Sequence, residues 1–155
     1  MPTLEIALDR LCDPQAGVSA HYTIAFDGRV WRHVPEQRRA WHAGVAAWAG
    51  CHDINACSIG IELENKGHEW GYQPFAPAQM AALRLLARAI LARHPIPPWR
   101  VLGHADVAWA RKQDPGEWFA WQALAAEGIG VWPQPEAVDY QPTAPAEVMA
   151  LLVRY

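Results

Sequence analysis

The sequence predicts an α/β (α+β) domain, a mixed central β-sheet flanked by helices. Three observations point there. Strand-forming runs crowd the first half, around Tyr22-Thr23-Ile24 and Ile59-Gly60-Ile61. The dipeptide Asp27-Gly28 sits between two such runs, as in a tight hairpin. The clearest helical period, at residues 78–94, falls between later strands and supplies a covering layer.

The elements follow in order. Leu4 to Leu11 is expected as a short helix, with Leu4, Ile6, Leu8 and Leu11 roughly on one face. Asp13 to Gly17 is a turn. Val18 to Phe26 alternates as a strand, and Arg29 to Val34 is its hairpin partner, ended by Pro35. Residues 36–56 are irregular and rich in Trp, Ala and Gly; such long loops in compact domains often carry function. Cys57 to Glu64 reads as an apolar strand with acidic residues entering at its end, and 65–76 as a loop. In the 78–94 helix Met80, Leu83, Ala87, Ile90 and Leu91 form the apolar stripe, while Arg84, Arg88 and Arg93 lie elsewhere. Pro77 suits its first turn, and Pro95, Pro97 and Pro98 stop it. Arg100 to Gly103 is a short strand, and Glu117 to Glu127 a helix ended by Gly128-Ile129-Gly130. Trp132 to Pro145 is a Pro-rich linker, and Ala146 to Tyr155 a last helix.

A length of 155 residues suits one domain with a real core, and 52% apolar with 19% charged residues reads as globular. The net charge is -3 and no Lys/Arg block stands out, which removes the footprint of a nucleic-acid binder. No run has the length or purity of a membrane span. The opening Met-Pro-Thr-Leu-Glu-Ile lacks the features of a signal peptide. Cys12, Cys51 and Cys57 form no C-x-x-C pair, so reduced thiols and a cytoplasmic location are expected, with the periplasm as the alternative. Most of the nine tryptophans are expected in the core, and some in a carbohydrate or peptide groove.

Candidate chemistry gathers in residues 103–116. His104 follows a strand, Asp114 comes ten residues later, and Lys112 lies between them on a loop. An imidazole and a carboxylate are good zinc ligands, and a lysine beside them can stabilise charge on an oxygen. By spacing alone, a surface loop with an Arg111/Lys112–Asp114 ion pair is the preferred reading of the same residues. Glu62 stands inside an apolar strand, where a carboxylate is costly to bury. Alternation puts it on one face with Ser58, Gly60 and Glu64, and the two small residues leave room above it. That environment suits a general base, and an exposed strand face is the other reading. His42, in Trp41-His42-Ala43-Gly44, is either a substrate clamp or part of a loop anchored by its Trp. His21 reads as a satisfied strand histidine, and His33, His52, His68 and His94 carry no pattern.

Taken in order, Val18-Ser19-Ala20-His21-Tyr22, Asp27-Gly28, Val34-Pro35-Glu36, Ala40-Trp41-His42-Ala43-Gly44, Ser58 to Asn65, Gly103-His104-Ala105-Asp106 and Lys112-Gln113-Asp114-Pro115-Gly116 resemble the type-2 N-acetylmuramoyl-L-alanine amidases of the AmpD/AmiD kind. Phage lysozyme-type amidases and peptidoglycan recognition proteins are more distantly similar. The resemblance covers residues 3–131. It implies the amidase-2, peptidoglycan-recognition-like fold for a catalytic domain spanning 1–131. It also implies a zinc (Zn2+) hydrolase cutting the amide between N-acetylmuramic acid and the L-alanine of its stem peptide. The substrate would be peptidoglycan or a muropeptide, and the protein a monomer. In that family two histidines and an aspartate hold the metal. His104 matches the second histidine and Asp114 the aspartate. Glu62 matches the general base, Lys112 the lysine that steadies the oxyanion, and Trp41, His42, Ala43 and Asn65 the substrate groove.

The family's first zinc histidine ends a strand just ahead of the helix matched by Leu4 to Leu11, and this sequence opens at Met1-Pro2-Thr3. The resemblance thus leaves that strand and ligand unmatched, through either a misassigned start or a real truncation. A non-catalytic peptidoglycan-binding protein is the alternative function. Trp109-Ala110 stands where the family usually has Pro-Gly. Glu147 to Tyr155 resembles the opening helix of a small peptidoglycan-binding module.

Overall fold

The computed structural model describes residues 3–136 and 142–152, with backbone only for the last two. Thr3 caps helix α1 (Leu4–Cys12) by accepting the N–H of Ile6 on its hydroxyl, and a 3-10 turn follows at Pro14–Ala16. Three short strands, β1 (Tyr22–Ile24), β2 (Val30–Arg32) and β3 (Ile61–Leu63), form a mixed sheet in the order β2-β1-β3. β1 runs antiparallel to β2 through the expected hairpin and parallel to β3, with Thr23 opposite Glu62.

As the central strand, β1 is buried at all three residues, so the expected in–out alternation gives way to coverage on both faces. One face meets α4 (Pro77–Arg93). Ile24 joins Met80, Leu83, Ala87, Leu124 and Ile129 in the main core, with Ile61 and Leu63 packed against it. Each such aliphatic side chain contributes about 1.5–3 kcal/mol by leaving water. The buried amide of Gln79 ties helix to sheet by donating to the carbonyls of Ile24 and Glu64, at 3.0 Å each. Since Ile61 and Leu63 take the α4 face, Glu62 between them is turned to the other.

The expected helices α1 and α4 form within a residue or two of their predicted limits. Several other elements differ. Cys57 ends a one-turn helix, α2 (Ile54–Cys57), and the strand begins only at Ile61. The 65–76 loop contains a short helix, α3 (Gly67–Trp70). Arg100 to Gly103 is not a strand: Pro98–Arg100 is a 3-10 turn, and the N–H groups of Arg100 and Val101 bond back to the Pro97 and Pro98 carbonyls. His104 instead opens a one-turn helix, α5 (His104–Val107). The helix expected over 117–127 shrinks to α6 (Trp121–Ala125), because Phe119 bonds back to Gly116 and packs edge-on against Trp121. Gly128 and Gly130 take positive φ after it, as expected. A final helix, α7, spans Pro145–Leu152. Residues 137–141 of the expected linker and 153–155 of the expected last helix lie outside the described residues, as do 1 and 2.

The tryptophans do not fill the core. Trp41, Trp70, Trp99, Trp109, Trp118 and Trp132 are exposed, and Trp31, Trp48 and Trp121 are only partly buried. Aliphatic side chains from α4 fill the interior instead, while Arg29, Arg39 and Arg100 lie over the faces of Trp31, Trp41 and Trp99.

Glu36 staples this frame. Its nearly buried carboxylate accepts from Tyr22 (2.7 Å), His94 (2.8 Å) and Arg93 (3.1 Å from Nε). The Arg93 hydrogen bond outweighs burial and holds its pKa down at about 2. A depressed carboxylate stabilises the fold above its ordinary value of 4.5, and that contribution fades as pH falls toward 2. Glu36→Gln is expected to cost about 2 kcal/mol at neutral pH and to flatten the acid limb of the stability curve, read by urea unfolding at several pH values.

Candidate functional site

The face of the sheet away from α4 carries the site. Gly60, just before β3, is buried, and its N–H donates to Nδ1 of His21 while its carbonyl accepts from the amides of His21 and Tyr22. His21 is fully buried, and its Nε2–H donates to the Arg38 carbonyl at 2.9 Å. Both ring nitrogens are used, as the sequence reading expects, so His21 offers no lone pair to a metal.

The room left by Ser58 and Gly60 is filled by the imidazole of His42. A Cβ at residue 60 would lie 2.3 Å from that ring. Ser58 Oγ gives its proton to the Ile54 carbonyl and so accepts from His42 Nε2, at 3.3 Å. Burial, and then the nearby His21, lower the His42 pKa to about 4.

Asn55 holds the turn that presents His42. It is buried, and its Oδ1 accepts the N–H of both His42 (2.9 Å) and Ala43 (2.8 Å). The Ala43 carbonyl then accepts from Nε2 of His104 at 3.0 Å and from Nη2 of Arg111. Arg111 also donates from Nε to the Val45 carbonyl at 2.9 Å. Ala43, Ala46, Ile54 and Ala108 form a small second core beneath this junction.

His104 and Asp114 come together as the sequence suggests. Nδ1 of His104 is 3.1 Å from Oδ2 of Asp114. No Arg111 or Lys112 ion pair to Asp114 occurs within 4.0 Å among the described residues; the loop is largely exposed, and Asp114 pairs with His104 instead. Both nitrogens of His104 face oxygen acceptors, and a neutral imidazole carries only one proton. With Nε2–H given to Ala43, the Nδ1–Asp114 gap calls for a positive charge: a proton or a metal ion.

Glu62 and Lys112 complete the cluster. Burial raises the Glu62 pKa above the ordinary carboxylate value, and the Asp114 charge adds to this, while His104 and Lys112 oppose it. Asp114 goes the other way. Burial alone would raise it, but the His104 hydrogen bond and the charges of His104 and Lys112 bring it below its ordinary value.

Zinc fits this donor set in part. His104 Nδ1 and Asp114 offer two protein ligands, and the Ala43 carbonyl on Nε2 is the usual kind of outer support for a metal-bound histidine. No group of three or more His, Cys, Asp or Glu converges to hold a metal among the described residues.

The expected groove residues divide. Trp41 is exposed beside His42, with Arg39 stacked 4.0 Å from its ring. Ala43 has both backbone groups committed inside the protein. The Asn65 side chain bonds Gln73 O and Gly67 N, so it braces its own loop. Sequence reasoning missed Asn55 and gave Arg111 an Asp114 partner in place of the Ala43 and Val45 carbonyls; both side chains bind backbone groups that no side-chain spacing reveals.

The sequence profile of the N-acetylmuramoyl-L-alanine amidases matches residues 1–117. The chain belongs to this amidase family. Among its relatives, the N-acetylmuramoyl-L-alanine amidase AmiD of Escherichia coli strain K12 is 44% identical over 96% of this chain and 60% of its own length. The 1,6-anhydro-N-acetylmuramyl-L-alanine amidase AmpD of Haemophilus influenzae is 41% identical over 70% of this chain and 57% of its own. This amidase-family chain thus spans about 60% of the curated relatives it matches. The structure of E. coli AmiD with anhydro-N-acetylmuramic acid-L-Ala-D-gamma-Glu-L-Lys superposes with a TM-score of 0.84 at 42% identity, covering 97% of this chain and 66% of that one. AmpDh3 of Pseudomonas aeruginosa with an anhydromuramic pentapeptide also gives 0.84, at 31% identity, over 95% of this chain and 67% of that one.

Two outcomes follow. Asn55→Ala strips the acceptor from two amides and is expected to cost about 2 kcal/mol in urea unfolding, with faster exchange of the His42 and Ala43 N–H. His42, whose pKa falls from 6.5 to about 4 on folding, stabilises the protein above pH 6.5, and that share is lost as pH drops toward 4. His42→Gln should therefore reduce the slope of stability against pH in that window.

Proposed function

We propose that this chain hydrolyses the amide between N-acetylmuramic acid and the L-alanine of a muropeptide, with zinc as its cofactor. The observation that carries the reading is Glu62. Burial raises its pKa on the face of the sheet away from α4, and the charges of Asp114, His104 and Lys112 act on it there. The likeness to AmiD, whose structure holds an anhydromuramyl peptide, supports the substrate class.

His104 and Asp114 are the residues that would hold the metal. Zinc, when bound, supplies a Lewis acid that polarises an amide carbonyl and makes water easier to deprotonate. The chain's own groups do the rest. Glu62 takes the proton from the attacking water and delivers it to the departing alanine nitrogen. A raised pKa suits that exchange, because the carboxyl must bind the proton and give it up. Lys112 donates to the oxygen that gains negative charge. The Ala43 carbonyl keeps the His104 ring turned so that Nδ1 faces Asp114. Trp41 offers an aromatic face, and His42 a half-buried edge, to the sugar and first stem residues.

The test is hydrolysis of a defined anhydromuropeptide by the purified chain with added zinc, followed by stem-peptide release. Glu62→Gln is expected to lower kcat roughly 10²- to 10⁴-fold with muropeptide binding retained. Lys112→Ala should lower it about 10²- to 10³-fold. A chelator should abolish release, and zinc restore it. Muropeptide binding that persists under chelator with no release from the wild-type chain contradicts the enzyme reading and supports the binding-protein alternative.

A further inference from the structure

The cysteines are not scattered in space. Sγ of Cys51 lies 3.0 Å from Sγ of Cys57, while Cys12 is elsewhere, 3.6 Å from the His33 ring. We propose that Cys51 and Cys57 are a redox-active pair, closing into an intramolecular disulfide that pins the loop carrying Asn55. This goes beyond the hydrolase reading, since closure needs neither metal nor substrate.

Both thiols are held in place by local structure. Trp48 and Cys51 exchange two backbone hydrogen bonds of 2.9 Å across a tight turn. Ala49 (φ 47) and Gly50 (φ 80) supply the two positive φ angles that such a hairpin turn demands. Cys57 ends α2, and its thiol also reaches the Ile54 carbonyl at 3.9 Å. Arg39 grips Asp53, between the two cysteines, with paired bonds of 2.8 and 2.9 Å. The ring that closes is short and already nearly folded on itself. Cys57 is exposed and Cys51 half-buried, so a small oxidant can reach the pair.

The chemistry balances with a small-molecule disulfide such as oxidised glutathione. A thiolate of the pair attacks the reagent and releases one glutathione thiol. The second cysteine then attacks the mixed disulfide and releases the other. Two protein thiols lose two protons and two electrons and form one S–S bond.

The consequence runs through Asn55. Asn55 lies between the two cysteines and holds the amides of His42 and Ala43. Cys51 itself packs against the Ala43–Ala46–Ile54–Ala108 cluster. Closing the 51–57 ring removes open conformations of this loop, and so makes release of Asn55 from the 42–43 turn rarer.

The experiment titrates the reduced, full-length protein with a glutathione redox buffer and follows thiol count, peptide mass and amide exchange. The expected result is loss of two of three thiols, with a cross-linked peptide containing Cys51 and Cys57 and with Cys12 still free. Exchange of the His42 and Ala43 amides should slow roughly tenfold on oxidation. Cys51→Ser and Cys57→Ser should each block the cross-link and the slowing. Each should leave exchange in the reduced state close to that of the wild type. Stable glutathione adducts on the wild-type pair, or a cross-link through Cys12, overturn the assignment. A Cys51–Cys57 bond that leaves exchange at 42 and 43 unchanged overturns the coupling to the site.

Discussion

The backbone of Gly60 and the imidazole of His42 lie face to face, and the remaining geometry of the site builds outward from that contact. Gly60 ties β3 to β1 by three hydrogen bonds, two of them to His21. Its missing side chain is the seat of His42, and a methyl group there would overlap the ring. His42 in turn fixes where Ala43 sits, with Asn55 beneath both amides. The Ala43 carbonyl sets which nitrogen of His104 faces Asp114. A single glycine at the edge of a short sheet thus positions a histidine on a loop more than forty residues later.

The two carboxylates at the site are pushed apart by their surroundings. Glu62 comes from a strand and sits among protein atoms, near the negative charge of Asp114, so its proton is held more tightly than usual. Asp114 lies on an open loop against His104 and is kept ionised. Carboxyl groups whose environments drive their pKa values in opposite directions are suited to different tasks. In the proposed hydrolysis one would move a proton and the other would remain a fixed anion. Lys112 acts on both charges.

Parts of this arrangement are legible in the sequence and parts are not. Helix α4 is readable because its apolar period is long and prolines punctuate both ends. The hairpin at Asp27-Gly28 is readable because a tight turn restricts residue choice. The stretch at Arg100 to Gly103 looks like a strand only if side chains are counted, since the N–H groups of Arg100 and Val101 turn back to the Pro97 and Pro98 carbonyls. The tryptophans mislead because they are large and amphipathic, and arginines cover a face of Trp31, Trp41 and Trp99 outside the core. His104, Asp114, Lys112 and Glu62 stand out once their order is compared with a known family, although the spacing of His104 and Asp114 alone is bland. Asn55 leaves no such trace, and the partners of Arg111 leave none either, because both side chains act on backbone groups of distant residues.

The His104 ring is held in one orientation, with Nε2–H on the Ala43 carbonyl and Nδ1 turned to Asp114, the edge that would bind metal in the proposed hydrolase. Nitrogen-resolved imidazole NMR of His104 during a zinc titration tests it most directly. Nε2 is expected to keep its proton throughout while the Nδ1 resonance moves with zinc, and Asp114→Ala to weaken the response. A His104 ring that zinc leaves unchanged, or one that loses its Nε2 proton to the metal, contradicts it.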